Sequence, residues 1–375
     1  MQTANTRRKD LIVESQKTIL LRDILNRNAN GKTIWQPRIE CWYSDRQYRG
    51  EELPSMLELF NDLNISNRLY QFNECIELCY TDPAIRSEER KINEMTTEYT
   101  IETPVGTANA IYRGNSSNFG WMPLKWWIET EEELAVHMYI EEHTNYKFNR
   151  DKYDELLAVW GHLGLPCVFV PRVNIQHMFI NASGVENTIY LLNDCQDSLE
   201  AYFDVLNRSH LRFVEMLNDA PFEWVNYGDN IHSKVLSPKL FEKYVLPAYQ
   251  QRNEVLRKAD KFIHAHFDGD VKELLPYFKE CGLDGIEAIT PLPQGDVTLK
   301  EARDAMGDIF LIDGIAAILF DETYPIEMLK TQTEQCLDLF EGQLVLGISD
   351  EMSSTGILDR IKFVSEIVDN FNAKH

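Results

Sequence analysis

No run in this sequence approaches the roughly 18 apolar residues that a membrane helix needs, and the opening MQTANTRRKDLIVESQK holds no apolar core before its charges resume. Neither a signal peptide nor a transmembrane helix is expected, and the expected location is cytoplasmic. Positive charge is scarce as well: 37 Lys and Arg stand against 60 Asp and Glu, a net charge of −23 at a pI near 4.8. A field of that sign repels phosphate backbones and anionic lipid, and no local basic patch offsets it, so nucleic acid and membrane are not expected partners. The seven cysteines are odd in number and scattered, Cys75 and Cys79 being the nearest pair, on a presumed helix face; they read as reduced thiols without a disulfide framework. No GxGxxG follows an early strand and no GxxxxGK[ST] occurs, so dinucleotide and nucleotide phosphate sites lack support. Internal repeats and low-complexity tracts are absent too.

What is present is an ordinary globular composition, 44% hydrophobic and 26% charged. Leu11, Ile12, Ile19, Leu20, Ile24 and Leu25 recur at helical intervals and predict an N-terminal helix within residues 1–30. Thr, Tyr and Ile on both sides of Pro104-Val105-Gly106 predict a hairpin insertion over 95–113. From about residue 150 short β-branched runs alternate with amphipathic stretches. The predicted strands are 166–170, 222–227, 262–266, 285–289, 309–313 and 344–348, with 39–43 as an earlier one and Thr188–Leu192 as the candidate for an eighth. Helix starts are legible at Ser237-Pro238, Gly269-Asp270-Val271, Thr298-Leu299 and Thr323-Tyr324-Pro325. Repeated strand–helix units with apolar strands imply an α/β fold with a parallel sheet covered on both faces, and closure into a (β/α)8 TIM barrel is expected over an open sheet. One domain over 1–375 accommodates all of this.

Barrel enzymes carry their chemistry at the carboxyl ends of the strands, and those ends are acidic here. They hold Asp229 and Asn230, the set His264, His266 and Asp268, then Glu287, Asp313 and Asp350-Glu351. Period-two alternation puts His264, His266 and Asp268 on one face of their strand. A buried carboxylate without a partner costs several kcal/mol or is forced to protonate, so this convergence implies a cation. His266, Asp268, Glu287 and Asp350 form the expected divalent-metal set, with zinc the first expectation. Asp229, Asp313 and His264 are the expected catalytic residues; Arg38, Trp42 and Asn230 the expected substrate contacts. Each has a plainer reading: His264 as a satisfied core histidine, Asp268 as a helix cap, Asp229 and Asp313 as turn residues, Asp350 as part of a solvated loop. Arg46, Arg49 and Arg172 are further candidates for a substrate carboxylate. The tryptophans around 121–127 and the aromatics from Trp35 to Tyr48 read as packing, with a wall for a flat organic substrate as the minority reading.

From about Glu94 onward the chain resembles the uroporphyrinogen decarboxylase superfamily, barrels that include decarboxylases and corrinoid-linked methyltransferases. The resemblance rests on Tyr99-Thr100-Ile101-Glu102-Thr103-Pro104-Val105-Gly106, Gly228-Asp229-Asn230, Ser237-Pro238-Lys239-Leu240-Phe241 with Pro247, His266-Phe267-Asp268-Gly269-Asp270-Val271, and Cys281-Gly282-Leu283-Asp284-Gly285-Ile286-Glu287. The methyltransferase branch implies a zinc site reading His-x-Cys-Gly, a Glu on the next strand and a Cys on the last. His266 and Glu287 match, whereas Asp268 and either Asp350 or Ser349 stand where thiolates would be. The decarboxylase branch implies an Arg-Gln-Ala-Gly-Arg-Tyr signature that is absent from Trp35 to Tyr43. The resemblance therefore implies a methyltransferase that moves a methyl group between a small substrate, such as a methoxylated aromatic, and a corrinoid on a separate protein, since the Asp-x-His-x-x-Gly corrinoid motif is missing. A metal or a carboxylic acid would activate the leaving atom. A decarboxylase-type lyase, a metal-dependent lyase or hydrolase, and a non-catalytic binder are the alternatives. Oligomeric state is left open, a homodimer included.

Overall fold

The computed structural model describes residues 14–114 and 121–375. Leu11 and Ile12 of the predicted N-terminal helix lie outside them. The helix itself runs Gln16–Leu25, with the Ser15 hydroxyl accepting from the Thr18 amide. Leu21, Ile24 and Leu25 pack with Cys167, Trp224, Phe310, Ile312 and Val345. The helix thus plugs the amino-terminal end of the barrel described below.

Before the barrel proper come two antiparallel sheets. Strand β1 (Ile76–Tyr80) awaits a distant partner, while β2 (Arg86–Asn93), β3 (Thr96–Thr103), β4 (Gly106–Gly114) and β5 (Trp121–Lys125) form a four-stranded sheet in that order. The hairpin expected at 95–113 is its middle, β3 and β4. The partner of β1 is β6 (Thr144–Phe148), after the helix Glu131–His143. Cys79 therefore lies in a strand and Cys75 at the end of a short 3-10 turn, not together on a helix face. All seven cysteines are free.

Six parallel strands follow, each hydrogen-bonded to the next: β7 (Cys167–Val170), β8 (Trp224–Ile231), β9 (Phe262–Phe267), β10 (Gly285–Glu287), β11 (Phe310–Ala316) and β12 (Leu344–Ser349). They coincide with the six apolar runs expected from 166 onward. Two short extended segments complete the ring. Trp35 bridges Leu346 in parallel, with Gln36 N–H donating to Leu346 O at 2.8 Å; Leu69 bridges Pro166, with Cys167 N–H donating to Leu69 O at 3.3 Å. Between the two segments, Ser66 N–H donates to Trp35 O at 3.1 Å, and the Gln36 amide reaches Ser66 Oγ and Asn67 O, both at 3.0 Å.

The two remaining staves are therefore 34–36 and 66–69, in place of the expected 39–43 and Thr188–Leu192. Residues 39–43 begin the helix Glu40–Tyr48, and Thr188–Leu192 lies inside the helix Gly184–Asp194. In the first case Ile39, Trp42 and Tyr43, buried from the start of a helix, mimic the run of a buried strand; in the second only Thr188 and Leu191 are buried while Ile189 and Tyr190 are exposed, and a short apolar run alone does not separate helix from strand. Three expected helix starts hold: Ser237 caps with Pro238 in the first turn, Thr298 forms a capping box with Glu301, and Pro325 precedes the helix Ile326–Leu339; Gly269-Asp270-Val271 leads only into the 3-10 segment Lys272–Tyr277. No helix among the described residues is long and apolar enough to cross a membrane.

Candidate active site at the barrel mouth

Above the apolar plug lies a polar layer built by strand alternation. Trp224 and Asn226 share a face of β8, as do Phe262, His264 and His266 on β9, and pairing sets Asn226 beside His264 and Glu287 beside His266. Asp313 breaks the rule usefully. It follows the inward-facing Ile312, yet its φ of +83° turns the carboxylate inward. Gly347 on the neighbouring stave makes room, since a Cβ there would stand 2.2 Å from Asp313 Oδ1.

Glu287 is the hub, and it is fully buried. Its Oε1 accepts from the Arg68 guanidinium and, at 2.6 Å, from the Tyr70 hydroxyl. Its Oε2 accepts from Asn226 Nδ2 at 2.7 Å and lies 2.9 Å from His266 Nδ1. Arg68, itself buried, continues to Asp313 Oδ1 at 2.8 Å and to Gln36 Oε1 at 3.0 Å. Burial alone would raise the Glu287 carboxyl, but Arg68, His266 and Arg38 together hold it well below the usual range. For Asp313, burial wins over Arg68 and the carboxyl is raised.

His264 sits beneath, its Nδ1 accepting from Trp224 Nε1 at 2.6 Å, and burial pushes its pKa down to about 3, so the ring is neutral. His266 differs. Burial opposes its charge, but the hydrogen bond and charge of Glu287 prevail and its pKa is raised. With Nδ1 turned to Glu287, Nε2 is left on the open side, 3.7 Å from Asp350 Oδ1.

The mouth carries more than the sequence suggested. Arg38 Nη2 pairs with Glu351 at 3.1 Å, while its Nη1, without a hydrogen bond of its own, lies 3.6 Å from Asp350 and 3.9 Å from Glu287. Glu40 stands beside them; burial, with Glu351 adding to it and Arg38 opposing, pushes its carboxyl up to about 7. Asp268 is half-buried with Oδ1 unpartnered, its carboxyl raised by burial against His266. Arg172 Nη2 donates to Asn230 Oδ1 at 3.1 Å, holding Asn230 at the rim.

Two expected site residues do not belong here. Asp229 is wholly buried, its Oδ1 accepting from Val173 N–H at 2.9 Å and its Oδ2 from the Tyr249 hydroxyl at 2.6 Å, so it clamps the loop after β7 to β8. Trp42 is in the core, its indole N–H donating to Gly356 O at 2.9 Å. Arg68, Tyr70, Asn226, Gln36 and Glu40 are the residues the sequence reading missed. The available signal was Arg68, a lone charge within Ile65-Ser66-Asn67-Arg68-Leu69-Tyr70.

The expected metal set of His266, Asp268, Glu287 and Asp350 does not fit a divalent ion as arranged. Both oxygens of Glu287 are taken up by four donors, and Arg38 stands against Asp350 where a cation would bind. Among the described residues no three His, Cys, Asp or Glu side chains group as a metal site requires. Two guanidiniums supply the positive charge that the clustered carboxylates call for.

A parallel α/β barrel with a buried carboxylate–histidine pair at its mouth defines the class of protein. The chain matches the uroporphyrinogen decarboxylase (URO-D) family over residues 177–367 and belongs to it. In fold it is similar to a methyltransferase from Methanosarcina mazei, with a TM-score of 0.58 at 13% identity over 96% of this chain and 99% of that one. A B12-independent methionine synthase from a Shewanella species aligns over 85% of this chain and 86% of that one at 10% identity with a TM-score of 0.39. No curated protein matches the chain.

Proposed function

We propose that this protein is a methyltransferase that demethylates a small methoxylated aromatic, with His266 as the proton donor to the departing oxygen. The observation that carries this reading is the His266–Glu287 pair, 2.9 Å apart, with Nε2 left facing the open mouth. An ether oxygen is a poor leaving group, and a proton delivered as the C–O bond breaks is worth about 10² to 10⁴ in rate. The broken bond leaves its electron pair on oxygen, which takes the proton from His266 Nε2, and Glu287 stabilises the imidazolium before transfer. Arg172 at the rim, and Arg38 beneath it with Nη1 buried and free of a hydrogen bond, are the guanidiniums nearest an acidic substituent on the ring, which would orient the methoxy group.

In this reading a reduced corrinoid on a separate protein supplies the nucleophile that accepts the methyl group. Membership of the family and the likeness in fold to the Methanosarcina mazei methyltransferase support the assignment. The test is to mix purified protein, reduced cobalamin and a panel of methoxyaromatics and follow the absorption of methyl-cobalt. Wild type should give turnover that falls about 10²-fold or more in His266→Ala. Silence of the wild type across the panel would remove the reading and leave a lyase or a binder.

A further inference from the structure

Two nitrogens at the mouth face an acceptor that does not close on them. Asp350 follows the last residue of β12, and its Oδ1 lies 3.6 Å from Arg38 Nη1 and 3.7 Å from His266 Nε2. Both nitrogens are uncommitted. Arg38 Nη1 makes no hydrogen bond, and the His266 ring spends its Nδ1 on Glu287 at 2.9 Å. The rest of each group is pinned. Arg38 Nη2 donates to Glu351 Oε1 at 3.1 Å, and Glu287 is itself fixed by Asn226 at 2.7 Å and Tyr70 at 2.6 Å. The two free nitrogens therefore keep their places whatever Asp350 does.

Asp350, by contrast, is loosely held. Its side chain is 53% exposed, against 13% for Arg38 and 6% for His266. Both approaches exceed the roughly 2.7–2.9 Å of a charge-assisted hydrogen bond, and an exposed carboxylate gains little from an ion pair at such range. Its backbone adds strain, since a φ of +67° is a left-handed conformation that glycine adopts freely and aspartate only at a cost. Two desolvated donors are served better by an oxygen that can come within hydrogen-bond reach of both.

We infer that Asp350 is a displaceable occupant of the point where an anionic oxygen of the ligand binds, and that Arg38 Nη1 and His266 Nε2 close on that oxygen once Asp350 swings out to solvent. The inference rests on the methyl-transfer reading in one respect, the identity of the oxygen: it is the phenolate oxygen from which the methyl group departs. As the methyl group passes to the corrinoid nucleophile, the electron pair of the broken C–O bond stays on that oxygen, His266 Nε2 gives it the proton and Arg38 Nη1 shares the charge that develops. Arg172 is then the guanidinium left for an acidic substituent at the rim. While Asp350 occupies the donors it lowers the apparent affinity for such an oxygen by the fraction of molecules left open.

The probe is pentafluorophenolate, an anion at pH 7, titrated into the full chain by calorimetry, with pentafluoroaniline as its neutral isostere. Asp350→Gly removes the occupant and suits the backbone. It should tighten pentafluorophenolate at least ten-fold, which corresponds to Asp350 holding the donors about nine-tenths of the time, and should leave pentafluoroaniline within two-fold. Asp350→Asn, which keeps the shape and drops the charge, serves if the glycine variant does not fold, with a gain of at least three-fold. Adding Arg38→Met to Asp350→Gly should abolish the gain. Asp268→Asn removes a negative charge on the same side of His266 without clearing the donors, and should gain less than three-fold. An unchanged affinity in Asp350→Gly, an equal gain in Asp268→Asn or for the aniline, or a gain that survives Arg38→Met would each overturn the assignment. A gain for benzoate without one for pentafluorophenolate would overturn the phenolate oxygen as the ligand. None of these measurements needs turnover, so failure of methyl transfer and failure of this inference are read separately.

Discussion

At the scale of single residues, the site is governed by Arg68. It neutralises two buried carboxylates, Glu287 and Asp313, that have no route to water. Arg68→Met keeps much of the volume and removes the charge, so it should cost about 3–5 kcal/mol, read as a lowered urea midpoint. A loss below about 1 kcal/mol would show that the carboxylates protonate or find water instead. The two histidines on β9 make opposite predictions. His266 has a raised pKa and acts as an acid, so its working form is present below that pKa and is lost as pH rises through it. The rate should fall along a basic limb with its midpoint above the ordinary imidazole value of about 6.5. Glu287→Gln removes the charge that sustains the shift, and should move the limb to lower pH; an unmoved limb would assign it to another group. His264 is held neutral, with a pKa of about 3. Between there and about 6.5 the unfolded chain takes a proton that the folded one refuses, so stability is lost as pH falls, by about 1.4 kcal/mol per unit for one such group. The raised Glu40 works the other way, contributing stability below about 7 that is lost as pH rises. The informative quantity is therefore the difference in urea midpoint between wild type and His264→Phe at pH 7, 6 and 5. The gap should narrow as the wild type weakens, and a constant gap would mean that His264 does not stay neutral.

At the scale of elements, a strand is legible where an apolar run surrounds it, which holds even for the short β7 and β10. Strands β8, β9, β11 and β12 each run six residues or more, and their apolar character was plain in the sequence. The staves at 34–36 and 66–69 are held by a few backbone bonds and by the Gln36 side chain, too short to show any period. That single gap hid Arg68 and Tyr70, and so the cation among the carboxylates was sought in a metal. Glu287, His266, Asp350 and Arg38 were legible because each is a polar residue at the end of an apolar strand or just beyond a tryptophan. Asp229 was misread for the same reason, since a strand-end carboxylate that clamps a loop looks no different in sequence from one that faces substrate. Asp313 owes its orientation to a left-handed backbone that alternation cannot foresee. The fit against Gly347 gives an element-scale test. Gly347→Ala would set a methyl group 2.2 Å from Asp313 Oδ1 and 2.9 Å from Gln36 O, both deep in the barrel. Overpacking of this kind costs about 1–3 kcal/mol, and the displaced carboxylate would also lose Arg68. Thermal unfolding should therefore shift downward by several degrees, whereas an unchanged midpoint would show that β11 and β12 can part without disturbing the polar layer.

At the scale of the whole molecule, the packing is unequal. One continuous core joins the barrel to its helices, and the N-terminal helix seals the lower end with its own cluster. The four-stranded sheet is held mainly through a small separate cluster of Ala108, Val136 and Ile140, with Tyr80, Ile101 and Trp127 packed against it. Every residue of β2 is exposed. Regions with few buried apolar contacts open locally at a fraction of the global free energy. Amides of β2 and β3 should therefore exchange with deuterium at least ten-fold faster than those of β9, which is buried along nearly its whole length. Equal exchange rates in β2, β3 and β9 would mean instead that the sheet opens only with the whole molecule.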